Sequence, residues 1–181
     1  NTADMAREVP LEEVMDGISV HRVKHPHNRD NIIIRGLEHF LLPGYYFKKY
    51  QELRKKFDVC LFYIPPLPLY YLAQKIKRHD GTSSVLNFQD FHPQELTDIG
   101  VLKNPLIIRI LEYIERAAYK NADYITVLSH GGIDYIAQRG GNPERISHVY
   151  NGLLLSDHEK NFLQHTFKKK EGIENKFLIS Y

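Results

Sequence analysis

The chain has 181 residues, 43% of them hydrophobic and 25% charged, an ordinary composition for one folded domain with a sizeable core. Its 24 lysines and arginines nearly balance 22 acidic residues, so the net charge of +2 gives no electrostatic argument for a nucleic-acid partner. The single cysteine, Cys60, excludes a disulfide or thiolate metal framework, and no stretch approaches the roughly 20 apolar residues of a membrane-spanning helix.

The first predicted element is a short strand at 18–23. Apolar residues then recur at helical spacing through 31–56, but the pair Pro43-Gly44 interrupts them. Because proline removes a main-chain donor and clashes with the preceding turn, we predict two helices in this stretch, the second at 45–56.

A nearly continuous apolar run at 57–64 is typical of a strand that is buried on both faces. The prolines at 65–66 end this run, and residues 69–79 have the pattern of a helix. Asp80-Gly81 should end that helix, so that 83–90 forms the next strand.

The next helix has a clear start signal, with Asn104 as its cap and Pro105 at its first position. Helical spacing then predicts one apolar face and one charged face. The residues expected on the buried face are Leu106, Ile107, Ile110, Leu111, Ile114, Ala117 and Ala118. The residues expected on the exposed face are Arg109, Glu112, Glu115, Arg116 and Lys120.

The alternation of strands and helices continues with a strand at 124–128, a helix at 133–139 and a strand at 146–150. Such alternation predicts an α/β fold with a mostly parallel sheet and helices on both faces, which is a three-layer, Rossmann-like domain. Residues 153–170 have a helical pattern rich in charge, and 173–181 are expected to open a new unit with a strand.

Three ionisable side chains, Asp90, His92 and Glu95, follow the strand predicted at 83–90. Ligands of open α/β sheets bind outside the carboxyl ends of the strands, so this loop is our first candidate for a functional site. The alternative is that Asp90 only caps the short helix that begins at Pro93, a role that aspartate performs well.

Two other loops leave predicted strands at the same edge. Ser129 and His130 precede two glycines and open a helix, whose main-chain amides could hold a phosphate; the alternative is a capped tight turn. Tyr63 and Pro65 combine an aromatic ring with a rigid backbone, which suits stacking against a sugar or a lipid head group, although such residues are more often packing residues.

His21, His25 and His27 lie close in sequence, but strand and loop spacing gives no reason for three ligands to converge, and we expect no metal site. The aromatic and basic stretch 37–49 could lie on a membrane surface, although burial in the core is the expected outcome.

Six motifs follow one another along the chain. They are Gly17 to Val23, Phe57 to Pro66, Gln89-Asp90 with Pro93 and Gly100, Leu111-Glu112 to Glu115, Ala122 to Ser129, and Asn151-Gly152. In this order they resemble the N-terminal domain of glycosyltransferase family 4, whose members are nucleotide-sugar-dependent enzymes of GT-B architecture. The likeness is greatest to the bacterial branch that builds lipid-linked polysaccharides, such as the fucosamine transferase group.

The resemblance implies a retaining transfer of a sugar from a nucleotide-sugar donor to a saccharide or polyprenyl-lipid-linked acceptor, with no metal and no cofactor. Asp90 and His92 are the residues that we expect to act in catalysis, because they follow a central strand at its carboxyl end. The residues expected to contact substrate are Tyr63, Pro65, Glu95, Ser129, His130 and Asn151. A cytoplasmic location is implied, with the inner face of the plasma membrane and a second copy of the chain as further candidate partners.

The resemblance also implies a domain division. Residues 1–170 would form the acceptor-side domain without its first strands, and 171–181 would begin the nucleotide-sugar domain. The glycine-rich loop and the paired glutamates that approach the donor are not in this sequence, so the fragment alone is expected to be inactive. The alternatives are a non-catalytic α/β binding or regulatory domain, and a fragment of a GT-B type nucleotide-sugar epimerase.

Overall fold

The computed structural model describes residues 9–25, 32–152 and 166–178, without the side chains of 32–35 and 166–167. The chain divides into two units, Asn1–Val149 and Tyr150–Tyr181. The strands are β1 (Glu12–Met15), β2 (Ile18–His21), β3 (Val59–Ile64), β4 (Ser83–Phe88), β5 (Tyr124–Val127) and β6 (Ile146–His148). The helices are α1 (Ile32–Glu52), α2 (Leu69–Asp80), α3 (Gln94–Asp98), α4 (Pro105–Asn121), α5 (His130–Gln138) and α6 (Thr166–Lys170), with a 3-10 turn at Pro143–Arg145.

β1 and β2 form an antiparallel hairpin, in which Glu12 lies opposite His21 and Met15 opposite Ile18. The two turn residues, Asp16 and Gly17, have φ of 50° and 82°. A two-residue turn with both φ values positive matches the right-handed twist of the flanking strands, and Asp-Gly is a favoured pair there. The strand predicted at 18–23 is therefore confirmed for β2, while its partner β1 was missed.

β3, β4, β5 and β6 form one parallel sheet in that order. The α/β class and the parallel sheet are confirmed. Because each strand is added on the same side of the last and such crossovers are right-handed, the connecting helices α2, α4 and α5 pack on one face. The buried cluster on that face draws from the sheet Phe62, Ile64, Leu86, Phe88, Ile125, Val127 and Ile146.

The opposite face of β3 is open. Val59, Leu61 and Tyr63 are 55%, 67% and 60% exposed, and they alternate with inward-facing residues. The prediction that this strand is buried on both faces is wrong, because β3 is the edge strand of the described sheet and the described helices pack on its other face.

α1 runs unbroken from Ile32 to Glu52, with Pro43 inside it. The predicted division into two helices at Pro43-Gly44 is wrong. Pro43 is buried and lines the groove between α1 and α2. Tertiary packing against α2 thus compensates for the main-chain hydrogen bond that proline cannot make, and the helix continues.

α4 begins as predicted, since the Asn104 side chain accepts hydrogen bonds from the amides of Leu106 (3.0 Å) and Ile107 (3.3 Å). The two predicted faces are partly wrong. Leu106, Ile107 and Ile110 are 65%, 45% and 49% exposed, because the first turns of α4 extend beyond the core, whereas Glu115 is buried at 1%. The partners of Glu115 explain its burial and belong to the site below.

α5 begins three residues before the predicted helix, at His130, because Ser129 caps it. In the second unit, α6 agrees with the end of the helical pattern at 153–170, whose earlier part lies outside the described residues. Residues 171–178 form turns without a strand, and the rest of the strand predicted there also lies outside. No helix in the described part of the chain is long and apolar enough to cross a membrane.

Candidate functional site

Four parallel strands end at one edge of the sheet, and the candidate residues lie where they end. Tyr63 is the second-last residue of β3, and His148 is the last residue of β6. Asp90 follows β4, and Ser129 follows β5. This common edge is where an open α/β sheet binds its ligands.

The loop after β4 is tied to the end of β3 by its main chain, since the Gln89 amide donates to the Ile64 carbonyl at 2.8 Å. Asp90 is exposed, while Pro93 is buried. α3 begins after Pro93 with no side-chain hydrogen bond at its cap. Among the described residues, no main-chain amide donates to Asp90, so the alternative that Asp90 serves as a helix cap is not realised.

Asp90, His92 and Glu95 come together as the sequence predicts. One ligand atom of each lies within 4.8 Å of the other two. His92 Nε2 is 3.3 Å from Glu95 Oε2. A carboxylate beside an imidazole that already has a carboxylate partner can accept a proton from a substrate hydroxyl and pass it on.

The same three groups are ligands that a divalent ion such as Mn²⁺ or Zn²⁺ accepts. Asp90 and Glu95 are both exposed, however, and exposed acidic groups commonly come this close without an ion. Proximity is the whole of the argument for a metal here, and we assign none.

The Asp90 loop forms one wall of the candidate site, and Ser129 and His130 form the second. Ser129 Oγ accepts a hydrogen bond from the Gly132 amide at 3.2 Å, so the capped turn exists. The ring of His130 lies edge-on to the ring of His148, with centroids 4.4 Å apart. His148 Nε2 donates to the Leu128 carbonyl at 2.9 Å, which fixes the ring across the ends of β5 and β6.

His148 was not predicted as a site residue. Its position at the carboxyl end of a strand was the available signal, but we assigned it to the interior of a strand at 146–150. Only the pairing of β5 with β6, which sets Val127 opposite His148, brings the two histidines together.

Phe91 joins the two walls. Its ring lies 4.5 Å from that of Tyr135 on α5 and 6.5 Å from that of Phe88 on β4, measured between centroids. A methyl group placed on Gly132 would lie 3.0 Å from Phe91 Cζ. The glycine therefore lets the β4 loop pack directly on the first turn of α5, through Phe91, which lies between Asp90 and His92 in the chain.

A buried carboxylate supports this contact from below. Glu115 Oε1 accepts hydrogen bonds from the hydroxyls of Tyr119 (2.8 Å) and Tyr135 (3.3 Å). Arg139 Nε lies 3.9 Å from Glu115 Oε2, and its guanidinium carbon lies 3.5 Å from the centre of the Tyr135 ring. Sequence spacing placed Glu115 on the exposed face, because two of its partners, Tyr135 and Arg139, lie beyond α4 and could not be known from that helix alone.

Burial raises the pKa of the Glu115 carboxyl, against the lowering effects of the Tyr119 hydrogen bond and the Arg139 charge. Burial and the neighbouring carboxylate raise the pKa of Tyr135 to about 12. The cluster is thus a hydrogen-bonded support that spans α4 and α5, and it borders the site through two ring contacts, Tyr135 against Phe91 and Tyr119 against Phe88.

The other predicted residues are less closely connected to this arrangement. Tyr63 is 60% exposed on the open face of β3, and Pro65 is half-buried just beyond the strand. Asn151 is exposed and belongs to the second unit. Their contact with a substrate stays a prediction.

Of the three early histidines, His21 lies 3.3 Å from Glu12 across the hairpin, and the His25 ring lies 6.5 Å from that of Tyr45. His27 lies outside the described residues.

Comparison with known proteins adds one finding. A family model described as a glycosyl transferase 4-like domain matches residues 2–152, which include both loops of the candidate site. No curated protein matches the chain.

Proposed function

The chain belongs to the glycosyl transferase 4-like domain family, and from that membership we propose that it forms the acceptor-side half of a retaining, GT-B type transferase. The donor would be a nucleotide sugar, and the acceptor a saccharide or polyprenyl-lipid-linked saccharide in cell-surface polysaccharide synthesis. Within this family we place the chain nearest the lipid-linked, fucosamine transferase-like branch. The proposed division stays at 1–170 for the acceptor side and 171–181 for the beginning of the donor domain.

The observation that carries this proposal is the cluster of Asp90, His92 and Glu95 at the carboxyl end of a central strand, with side-chain ligand atoms within 4.8 Å of one another. Asp90 would accept a hydrogen bond from the acceptor hydroxyl and take its proton as the new bond to the sugar forms. The bond between the sugar and the nucleotide breaks in the same transfer, and the leaving phosphate keeps the electron pair. His92, held by Glu95, would orient Asp90 and share the proton.

The remaining residues would bind rather than react. The Ser129 turn and His130 stand at the start of α5, where free amides favour the negative charge of a phosphate. Tyr63 and Pro65 would contact an acceptor sugar from the end of β3, and Asn151 is a further proposed substrate contact. We further propose that the enzyme works in the cytoplasm at the inner membrane face, without a metal or cofactor.

The test uses this chain alone and this chain joined to a nucleotide-sugar domain. Binding sites of this kind form between two domains, and one domain cannot bury most of a ligand. The chain alone should therefore transfer no sugar, and calorimetry should show that it binds nucleotide sugars weakly or not at all. The joined protein should transfer labelled sugar to a lipid-linked acceptor. Sub-micromolar binding of a nucleotide sugar by the chain alone would contradict this division of labour. If the joined protein inverts the configuration of one sugar carbon in the nucleotide sugar when no acceptor is present, the result would favour an epimerase instead.

A further inference from the structure

α1 and α2 lie side by side and leave an open groove along their contact. One part of the groove holds about 400 Å³ and the other about 340 Å³. The first part is lined by Phe40, Leu41, Pro43, Gly44 and Tyr71, and the second by Phe47, Gln51 and His79. Lys75 and Arg78 line both parts, so the two form one continuous groove.

The charge in this groove is cationic. Lys75 and Arg78 form no ion pair with any residue that the structure describes. Lys75 Nζ instead lies 5.8 Å from the centre of the Phe47 ring, and Arg78 Nε donates to the Gln74 carbonyl at 3.2 Å. No acidic side chain is among the lining residues, so the groove offers two uncompensated positive charges to a ligand.

The rim of the groove is apolar. Leu37, Phe40 and Leu41 of α1 are 63%, 42% and 55% exposed, and they share one face of the helix by their spacing. The expectation that this stretch is buried in the core is wrong for these three residues. An apolar helix face bordered by lysine and arginine is the pattern of a helix that lies in a membrane interface.

The direction of the groove relates it to the candidate site. Residues 40–44 of α1 face Tyr71, and residues 47–51 face 75–79, so the two helices run in the same direction. α2 starts just after the carboxyl end of β3. The apolar end of the groove therefore lies toward the sheet edge that carries Tyr63 and the Asp90 loop.

We propose that the α1–α2 groove docks the protein on an anionic bilayer surface. Phe40, Leu41 and Leu37 enter the boundary between head groups and acyl chains, while Lys75 and Arg78 bind lipid phosphates. This docking holds the carboxyl edge of the sheet beside the membrane. Docking in this orientation would also deliver a lipid-linked acceptor to Asp90, and that further consequence alone rests on the proposed function.

The test is vesicle co-sedimentation of the full chain, with vesicles of phosphatidylcholine alone or with phosphatidylglycerol as the anionic lipid. The wild type should bind the anionic vesicles, and binding should weaken as salt rises. Lys75→Glu with Arg78→Glu should weaken binding at least about tenfold, since each basic residue near such a surface contributes about 1 kcal/mol. Phe40→Ser with Leu41→Ser should weaken binding to the anionic vesicles, and also any binding of the wild type to vesicles of phosphatidylcholine alone.

Matched controls separate this surface from general effects. Lys55→Glu with Lys56→Glu changes two exposed cations outside the groove, and Leu61→Ser changes an exposed apolar residue on β3. Both should bind like the wild type, and a melting curve should show that each variant is folded. If the serine pair fails to fold, the two surface charge reversals still decide the question.

No binding of the wild type to anionic vesicles, or equal losses in the groove and control variants, would overturn the proposal. So would binding of a single-stranded oligonucleotide through Lys75 and Arg78 as tightly as the vesicles. Because sedimentation needs no sugar transfer, the two proposals can fail separately. Vesicle binding by the chain, together with no sugar transfer by the protein joined to a nucleotide-sugar domain, would contradict the proposed function and leave the docking surface supported.

Discussion

At the scale of single residues, the site combines exposed reactive groups with a buried support. Asp90 and Glu95 meet solvent, whereas Glu115 is 1% exposed under the same loop. The exposed groups can meet a substrate, and the buried group can only hold its neighbours. Substitutions at the two positions should therefore have separable effects.

Asp90→Asn should lower turnover by about 100-fold or more and leave stability unchanged, because it keeps the size of the side chain and removes the group that accepts a proton. The measurements are steady-state transfer by the joined protein and thermal unfolding of the chain. Asp98→Asn is the matched control, since Asp98 is exposed on α3 and, among the described residues, accepts one side-chain hydrogen bond, from Gln94 Nε2 at 2.7 Å. Wild-type turnover in Asp90→Asn would remove Asp90 from the mechanism.

Glu115 should make stability depend on pH. Burial raises its pKa in the folded chain above the ordinary value of 4.5, so its contribution to stability is fully present below that value and is lost as pH rises through the folded pKa. The wild type should therefore gain stability relative to Glu115→Gln as the pH is lowered from 7 to 4, which lies below the ordinary value. Urea unfolding of both proteins at the two pH values measures this difference.

Glu144→Gln, on the exposed 3-10 turn, controls for the loss of one negative charge. A difference in stability between wild type and Glu115→Gln that stays constant from pH 7 to pH 4 would contradict a raised pKa of the Glu115 carboxyl.

At the scale of elements, one glycine in α1 and one in α5 show that the two helices are packed to different degrees. A methyl group on Gly44 in α1 would meet nothing within 4 Å, whereas one on Gly132 in α5 would lie 3.0 Å from Phe91 Cζ and 3.1 Å from Val127 Cβ. The first turn of α5 is thus in direct contact with the Asp90 loop and with β5. The middle of α1 has room.

Gly44→Ala should stabilise the chain by about 0.5–1 kcal/mol, because alanine loses less conformational freedom in a helix. Gly132→Ala should destabilise it by about 1–3 kcal/mol, since the added methyl overpacks the contact. Urea unfolding measures both, and nuclear magnetic resonance should show the amide signals of 90–95 shifting only in Gly132→Ala. Unmoved loop signals in that variant would refute the packing of the loop on α5.

At the scale of the whole sheet, the two faces have different environments. On one face Leu86 is fully buried among α2, α4 and α5, and on the other Leu61 is 67% exposed. The exposed residues of β3 also stand at an unpaired edge of the described sheet, a feature that invites pairing with another chain.

Leu61→Ser should change the free energy of unfolding of the monomer by less than about 0.5 kcal/mol. Leu86→Ala should cost about 2–5 kcal/mol, because it leaves a cavity in the core. Urea unfolding gives both values, and sedimentation of the two proteins gives their mass. A cost above about 2 kcal/mol for Leu61→Ser, or the loss of a dimer, would show that a second copy covers this face.

Local signals in the sequence were enough to predict the strands β3 to β6, the Asn104 cap and the cluster of Asp90, His92 and Glu95. Strand alternation, helix caps and an i to i+5 grouping depend on residues a few positions apart, so the sequence contains them directly. Only the tertiary structure decided the rest. Leu61 is exposed and Glu115 buried because of where other elements pack, and Tyr135 reaches Glu115 from 20 residues away. α1 continues through Pro43 because α2 packs beside it, and His130 meets His148 because β5 pairs with β6. Burial and pairing across elements are properties of distant partners, and no local pattern in the sequence records them.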